Sequence, residues 1–220
     1  MSQDIIHVYF MPGMAANPSI FEYIRLPKDR FKTHLLEWMI PNPNESIASY
    51  AERLAQKVEH DNSVLLGVSF GGIMVQEMSK FLNLKKVIII SSVKATHELP
   101  KRMKIAKRTK AYKLIPTKLL SNIEALAKYA FGEFVTKRIE LYKKYLSVND
   151  KRYLDWAIRQ VVCWEQNTPL PNIIHIHGEK DGVFPIYNIK NCIIVEGGTH
   201  IMIINKFKWF NENLPKLILS

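Results

Sequence analysis

A mostly parallel α/β sheet of about six strands, with helices on both faces and an inserted helical segment, is the fold class this sequence predicts. Two observations lead there. Short apolar runs of strand length alternate with amphipathic runs of helical period along most of the chain. The alternation stops between residues 94 and 166, where only helical patterns occur, and then resumes. This divides the chain into a core of residues 1–93 and 167–220 and an insert of residues 94–166.

The elements come in this order. Residues 5–10 form a continuous apolar run, the mark of a strand buried on both faces, and Met11-Pro12-Gly13-Met14 breaks it. Residues 17–24 suggest a short helix with Asn17 as N-cap and Pro18 at the first helical position. A second strand is expected over 33–38, then a Pro-Asn loop at 41–44. Residues 46–58 place Ile47, Tyr50, Ala51, Leu54 and Val58 on one helical face. A strand at 62–66 leads through a tight turn into a helix over 70–82, with Ile73, Met74, Met78 and Leu82 facing the core. Val87-Ile88-Ile89-Ile90 marks a fourth strand, at 86–91. Beyond the insert, strands are expected at 173–176 and 192–195, a short helix near Ile186, and a final helix over 202–214. Ser147 and Asp150 resemble a capping box ahead of the stripe Tyr153, Leu154, Ala157, Ile158, Val161 and Val162.

Composition narrows the function classes. The 220 residues fit one domain with an inserted subdomain. No apolar run reaches membrane-spanning length, and Met1-Ser2-Gln3-Asp4 lacks the basic start of a signal peptide, so a cytoplasmic protein is expected. Cys163 and Cys192 are read as free thiols. The net charge of +11 is confined to one segment: residues 94–152 hold 16 Lys and Arg against 5 Asp and Glu, and the rest is balanced at 15 against 15. No nucleotide-binding glycine motif occurs and no cofactor is expected. His175 and His177 alternate on one strand without further ligands at metal spacing, so they are read as packed strand-end residues and no metal is expected.

The chemistry concentrates at Gly67-Val68-Ser69-Phe70-Gly71. The five letters alone are a weak signal. Between a strand and a helix they describe a turn that forces the serine into a strained conformation, and Gly67 and Gly71 leave room for the chain to pass. Such a turn lifts the hydroxyl above the sheet. A serine hydroxyl needs a base within reach and an acid to orient that base. Both come after later strands: Asp181 in His177-Gly178-Glu179-Lys180-Asp181, and His200 in Glu196-Gly197-Gly198-Thr199-His200. Glu179 is read as solvated and Glu98 as a lesser stand-in for the acid.

With the elbow, the H-G-x-x-D-x-x-x-P stretch and the G-G-x-H stretch in this order, the chain resembles the α/β-hydrolase superfamily over essentially its whole length. The resemblance implies Ser69 as nucleophile, His200 as base and acid, and Asp181 as orienting carboxylate. It also implies an oxyanion hole from the backbone amides of Phe70 and Met14, with Gly13 in the turn before Met14. Many members carry His-Gly where this chain has Pro12-Gly13. The slot of residues 94–166 is where the superfamily places a helical cap over the serine. Tyr112, Leu119, Leu120, Ile123, Leu126, Tyr129, Phe131, Phe134, Tyr142, Tyr145 and Trp156 supply its core and pocket candidates.

The expected substrate is a small-molecule acyl ester or thioester. Thioesterase, lipase, lactonase and C–C hydrolase chemistry could run on the same three residues, and a triad-bearing small-molecule receptor is the rival from another class. The run Lys101, Arg102, Lys104, Lys107 and Arg108 is either a solvated face or a steering patch for an acidic carrier protein, a phosphate-bearing thioester or an anionic surface. Nothing in the chain resembles a nucleic-acid module. The Pro12–Asn17 loop, the elbow and the basic insert are similar to carboxylesterases that demethylate pimeloyl-carrier-protein esters, although those use cap arginines and lysines dominate here.

Overall fold

The computed structural model describes residues 5–114 and 144–220. Six strands form one parallel sheet: β1 (Ile6–Met11), β2 (Phe31–Leu35), β3 (Ser63–Val68), β4 (Leu84–Ile90), β5 (Ile174–Gly178) and β6 (Ile193–Val195). Their order across the sheet is β2-β1-β3-β4-β5-β6. The chain runs outward from β1 to β2, then returns to lay β3 on the other side of β1. The strand order therefore reverses between β1 and β3, where parallel sheets open a crevice at their carboxyl ends.

The helices are α1 (Ile47–Ala55), α2 (Phe70–Met78), α3 (Lys101–Thr109), α4 (Lys151–Cys163), α5 (Met202–Asn205) and α6 (Phe207–Leu219). Their starts obey simple rules. Ser46 caps α1 by accepting from the Ser49 amide, and Asp150 caps α4 by accepting from Arg152 and Tyr153. Capping of α4 thus uses Asp150 itself.

Five expectations are corrected in detail. The 17–24 helix is one 3-10 turn, Pro18–Phe21, with Asn17 capping it as predicted. The second strand begins two residues and ends three residues before the expected bounds, because its register against β1 runs from Phe31 to Leu35. Helix α2 ends at Met78, and a 3-10 turn, Ser79–Phe81, comes next. All nine residues of α2 are buried, so the one-sided stripe read from Ile73, Met74 and Met78 understates it. The helix lies between the central strands and α1 and α4, and its polar members are bonded: Gln76 Nε2 donates to the Gly72 and Val93 carbonyls, and Trp164 Nε1 donates to Glu77. The final helix splits at Lys206, and its second part runs through Pro215 to Leu219.

The 94–166 segment leaves after β4 and rejoins before β5. Its described α-helices are α3, which buries none of its residues, and α4, which buries seven. Leu119, Leu120, Ile123, Leu126, Tyr129, Phe131, Phe134 and Tyr142 lie outside the described residues. Tyr145 and Trp156 are buried, and Trp156 Nε1 donates to the Glu45 carbonyl across to the core.

Candidate active site

The turn between β3 and α2 is built by crowding. A Cβ on Gly67 would stand 2.2 Å from the Gly71 oxygen, and one on Gly71 would stand 2.3 Å from the Pro12 oxygen. No side chain fits at either place. Gly13 differs: a Cβ there would make only ordinary contact, at 3.4 Å from Ser69 Cβ. Ser69 itself adopts φ 55° and ψ −120°, a conformation that costs a non-glycine residue about 1–3 kcal/mol. The surroundings hold it there. The Ser69 amide donates to the Ile90 carbonyl, and Ser92 Oγ donates to the Ser69 carbonyl at 2.8 Å.

Three distant segments meet above this turn. Ser69 Oγ lies 2.9 Å from His200 Nε2. His200 Nδ1 lies 2.8 Å and 3.1 Å from the two oxygens of Asp181. A carboxylate can only accept here, so Nδ1 carries the proton and Nε2 is left to accept from the serine hydroxyl. Asp181 is held in turn by the amides of Val183 and Phe184, which donate to Oδ1 at 2.8 and 2.9 Å. Burial alone would raise its carboxyl, but the charge and hydrogen bond of His200, with His177 and the Phe184 amide, bring it below the ordinary aspartate range. Glu179 is braced as well as exposed: its carboxylate accepts from the Gly197 amide at 2.8 Å, at the base of the His200 loop. Glu98 lies elsewhere, buried and paired with Lys94 at 3.0 Å.

Behind Asp181 runs a buried polar chain that sequence spacing did not reveal. His177 Nε2 faces the Phe184 carbonyl at 2.8 Å, so it must donate. His177 Nδ1 then accepts from His175 Nε2 at 3.0 Å, and His175 Nδ1 accepts from the Lys94 ammonium at 3.1 Å. The direction of every bond is fixed from one end to the other, with both imidazoles neutral. Burial, then the charge of Lys94, hold His175 well below the usual histidine range. Burial outweighs the nearby Asp181 and lowers His177 too. Both residues are packed, as read from the sequence, and they also anchor the Phe184 peptide whose amide holds Asp181.

The oxyanion candidates sit beside the serine. Phe70 opens α2 and Met14 comes directly after the Gly13 turn, and both line the same cavity as Ser69 and His200. Among the described residues, no backbone carbonyl outside the regular elements takes either amide. The loop needs no histidine for support. Trp38 Nε1 donates to the Gly13 carbonyl at 2.8 Å, and its indole stacks on Phe70 at 5.0 Å. A lone tryptophan just after an edge strand was the available signal for this brace.

The cavity measures about 440 Å³. Its walls are mainly apolar, with Met14, Ile20, Phe70, Met103, Ile158 and Val162 among them. Arg102 is the cation that reaches it, and its guanidinium donates to the Gly182 and Val183 carbonyls. The other cations of α3 stand on an exposed helix. Lys104 donates to the His97 carbonyl and Lys107 pairs with Glu165 at 2.7 Å, whereas Lys101 and Arg108 have no such partner among the described residues.

No protein-family model matches this sequence, and no curated protein does. Solved structures do match. A bromoperoxidase from Bacillus anthracis superposes with a TM-score of 0.67 at 18% identity, covering 99% of this chain and 93% of its own. A thermophilic esterase from Thermogutta terrifontis gives 0.70 at 13% identity, over 98% and 92%. A 2-hydroxy-6-oxo-6-phenylhexa-2,4-dienoate hydrolase from Rhodococcus gives 0.67 at 14%, over 99% and 92%. The fold shared by these structures and this chain is the α/β-hydrolase fold. Among the described residues, no helix is long and apolar enough to cross a membrane.

Proposed function

We propose that this chain, with its α/β-hydrolase fold as premise, is a serine hydrolase that cleaves a carboxylic ester or thioester of an apolar acyl group. One observation carries the reading: the unbroken line from Ser69 Oγ through His200 to Asp181, opening into an apolar cavity. Ser69 Oγ attacks the acyl carbon while its proton passes to His200 Nε2. The carbonyl oxygen gathers negative charge between the Met14 and Phe70 amides. The acyl carbon then releases the alkoxide or thiolate, which takes the proton from His200. Water, deprotonated by His200, attacks the acyl-enzyme, the Ser69 ester bond breaks, and the free acid leaves as Oγ regains its proton.

Structural neighbours named as a bromoperoxidase, an esterase and a 2-hydroxy-6-oxo-6-phenylhexa-2,4-dienoate hydrolase support hydrolase activity in general on this scaffold and agree on no single substrate. The acyl preference is read from the walls. Met103, Ile158 and Val162 descend from α3 and α4, so the 94–166 insert acts as a cap that shapes the acyl pocket. The exposed cations of α3, with Arg102 at the cavity, suit a leaving group or partner that carries negative charge.

The test is steady-state turnover of p-nitrophenyl esters of increasing acyl length. The proposal expects sustained turnover, with kcat/KM rising from acetyl to a medium chain and falling beyond it. Val162→Trp should move the optimum to shorter chains. A protein that binds the esters but completes only a few turnovers on every chain length would be a receptor, and the proposal would fail.

A further inference from the structure

Far along β1 from the Gly13 turn, three imidazoles come together. His7 and Tyr9 are two residues apart on β1 and share one face of the sheet. The parallel register sets Tyr9 opposite His34 and His7 opposite Lys32, so His34 stands on the same face. His60 comes from the loop between α1 and β3 and closes over them. His7 Nδ1 lies 2.8 Å from His34 Nε2, and the His60 ring stacks on His7 with centroids 3.4 Å apart. One nitrogen from each of the three lies within 4.8 Å of the other two. Spacing along the chain hides the set, because its members sit on three separate segments.

The cluster is short of acids. Two nitrogens facing each other at 2.8 Å need a single hydrogen between them. Among the described residues, the three rings have no carboxylate at ion-pair distance: the histidine pairs present are those of His177 and His200 with Asp181. The charged side chains around them are those of Lys32 and Glu59. Three imidazoles in contact offer ring nitrogens to a shared cation. The group behind His60 is suited to one: the Tyr9 hydroxyl oxygen lies 2.6 Å from His60 Nδ1 and can accept its N–H, leaving Nε2 as the ligand atom.

We propose that His7, His34 and His60 bind a divalent transition metal of the zinc type. Three imidazoles suit such ions and exclude magnesium and calcium, which require oxygen. With metal–nitrogen bonds of about 2.0–2.1 Å, tetrahedral ligands stand about 3.3 Å apart, so His7 and His34 need part by only a few tenths of an ångström while His60 swings off its stack. All three rings are half-buried, so solvent can reach the fourth position. The metal would tie edge strand β2 to β1 and to the loop that leads into β3. It lies outside the Ser69 chemistry and acts as a staple.

The experiment is calorimetric titration of the full chain with Zn2+, alongside His34→Gln, His60→Gln and, as a control for binding at the Ser69 site, His200→Gln. The expected result is one strong site in the wild type and in His200→Gln, weakened at least about tenfold in the other two. Zn2+ should also raise the unfolding midpoint of the wild type and leave that of His60→Gln unmoved. His60 lies in a loop, so this variant keeps the test valid even where His34→Gln disturbs β2. Equal affinity in all four proteins, or no binding heat in the wild type, would overturn the proposal.

Discussion

Two regions of one sheet put the same side chain to opposite uses. At the carboxyl ends of β5 and β6, His200 meets a carboxylate on one side and a hydroxyl on the other, so its proton has a fixed origin and destination. Near the start of β1, His7 and His34 meet each other, His60, Tyr9 and the fields of Lys32 and Glu59. Between these regions, His175 and His177 face a lysine and a carbonyl and are held neutral in the core. The imidazole is constant and its partner is not. The partner decides whether the ring moves a proton, fills space or offers a lone pair.

Breaking the first region should give the largest effect. Asp181→Asn retains size but presents an amide that can donate, which favours the wrong tautomer of His200. We expect kcat on a p-nitrophenyl ester to fall by about 10³–10⁴-fold with the fold intact by circular dichroism. A loss under tenfold would show that orientation by Asp181 contributes little. Next comes Gly71→Ala. Its Cβ would press on the Pro12 and Met11 carbonyls at 2.3 and 2.5 Å, both backbone. Urea unfolding should show about 3 kcal/mol of lost stability or more, since nothing flexible can give way.

The buried histidines separate the second use from the first by pH. Their folded pKa values lie below the unfolded one, so between the two the unfolded chain binds protons that the native chain refuses. Stability is therefore full above about pH 6.5 and falls as pH drops, by up to about 1.4 kcal/mol per pH unit for each histidine. His175→Gln should flatten that slope in urea titrations between pH 7 and pH 5, while an unchanged slope would place the acid sensitivity elsewhere. The smallest effect is expected on α3. Reversing Lys104, Lys107 and Arg108 to Glu should leave turnover of a neutral ester within about twofold, because none of the three lines the cavity. If the helix steers an anionic partner, the same change should lower kcat/KM on a phosphate-bearing acyl thioester and abolish its salt dependence.

Much of this was legible in the sequence because it is local. The elbow announces itself through Gly67 and Gly71, whose crowding leaves no alternative residue, and the apolar runs name strands buried on both faces. Asp181 and His200 could be placed because each comes just after a strand, and a parallel sheet gathers the loops at its strands' carboxyl ends along one edge. The hidden features depend on register. That Tyr9 pairs with His34, or that His177 reaches the Phe184 carbonyl, is settled by which strands are neighbours and how they align. Helix ends were hidden for a different reason: α2 is buried all round, so its apolar period carries no stop signal, and the helix ends where a 3-10 turn takes over. The brace from Trp38 to Gly13 replaces a missing loop histidine by a contact made across 25 positions of chain.

Catalysis on this scaffold is assigned to the hydroxyl at position 69. Wild-type protein and Ser69→Ala should be compared by steady-state hydrolysis of the best p-nitrophenyl ester from the chain-length series, with the acyl-enzyme trapped by acid quench and weighed by mass spectrometry. We predict turnover reduced by at least about 10⁴-fold in the variant, unchanged folding, and an acyl adduct on Ser69 of the wild type alone. Wild-type rates in Ser69→Ala, or an adduct on another residue, would contradict it.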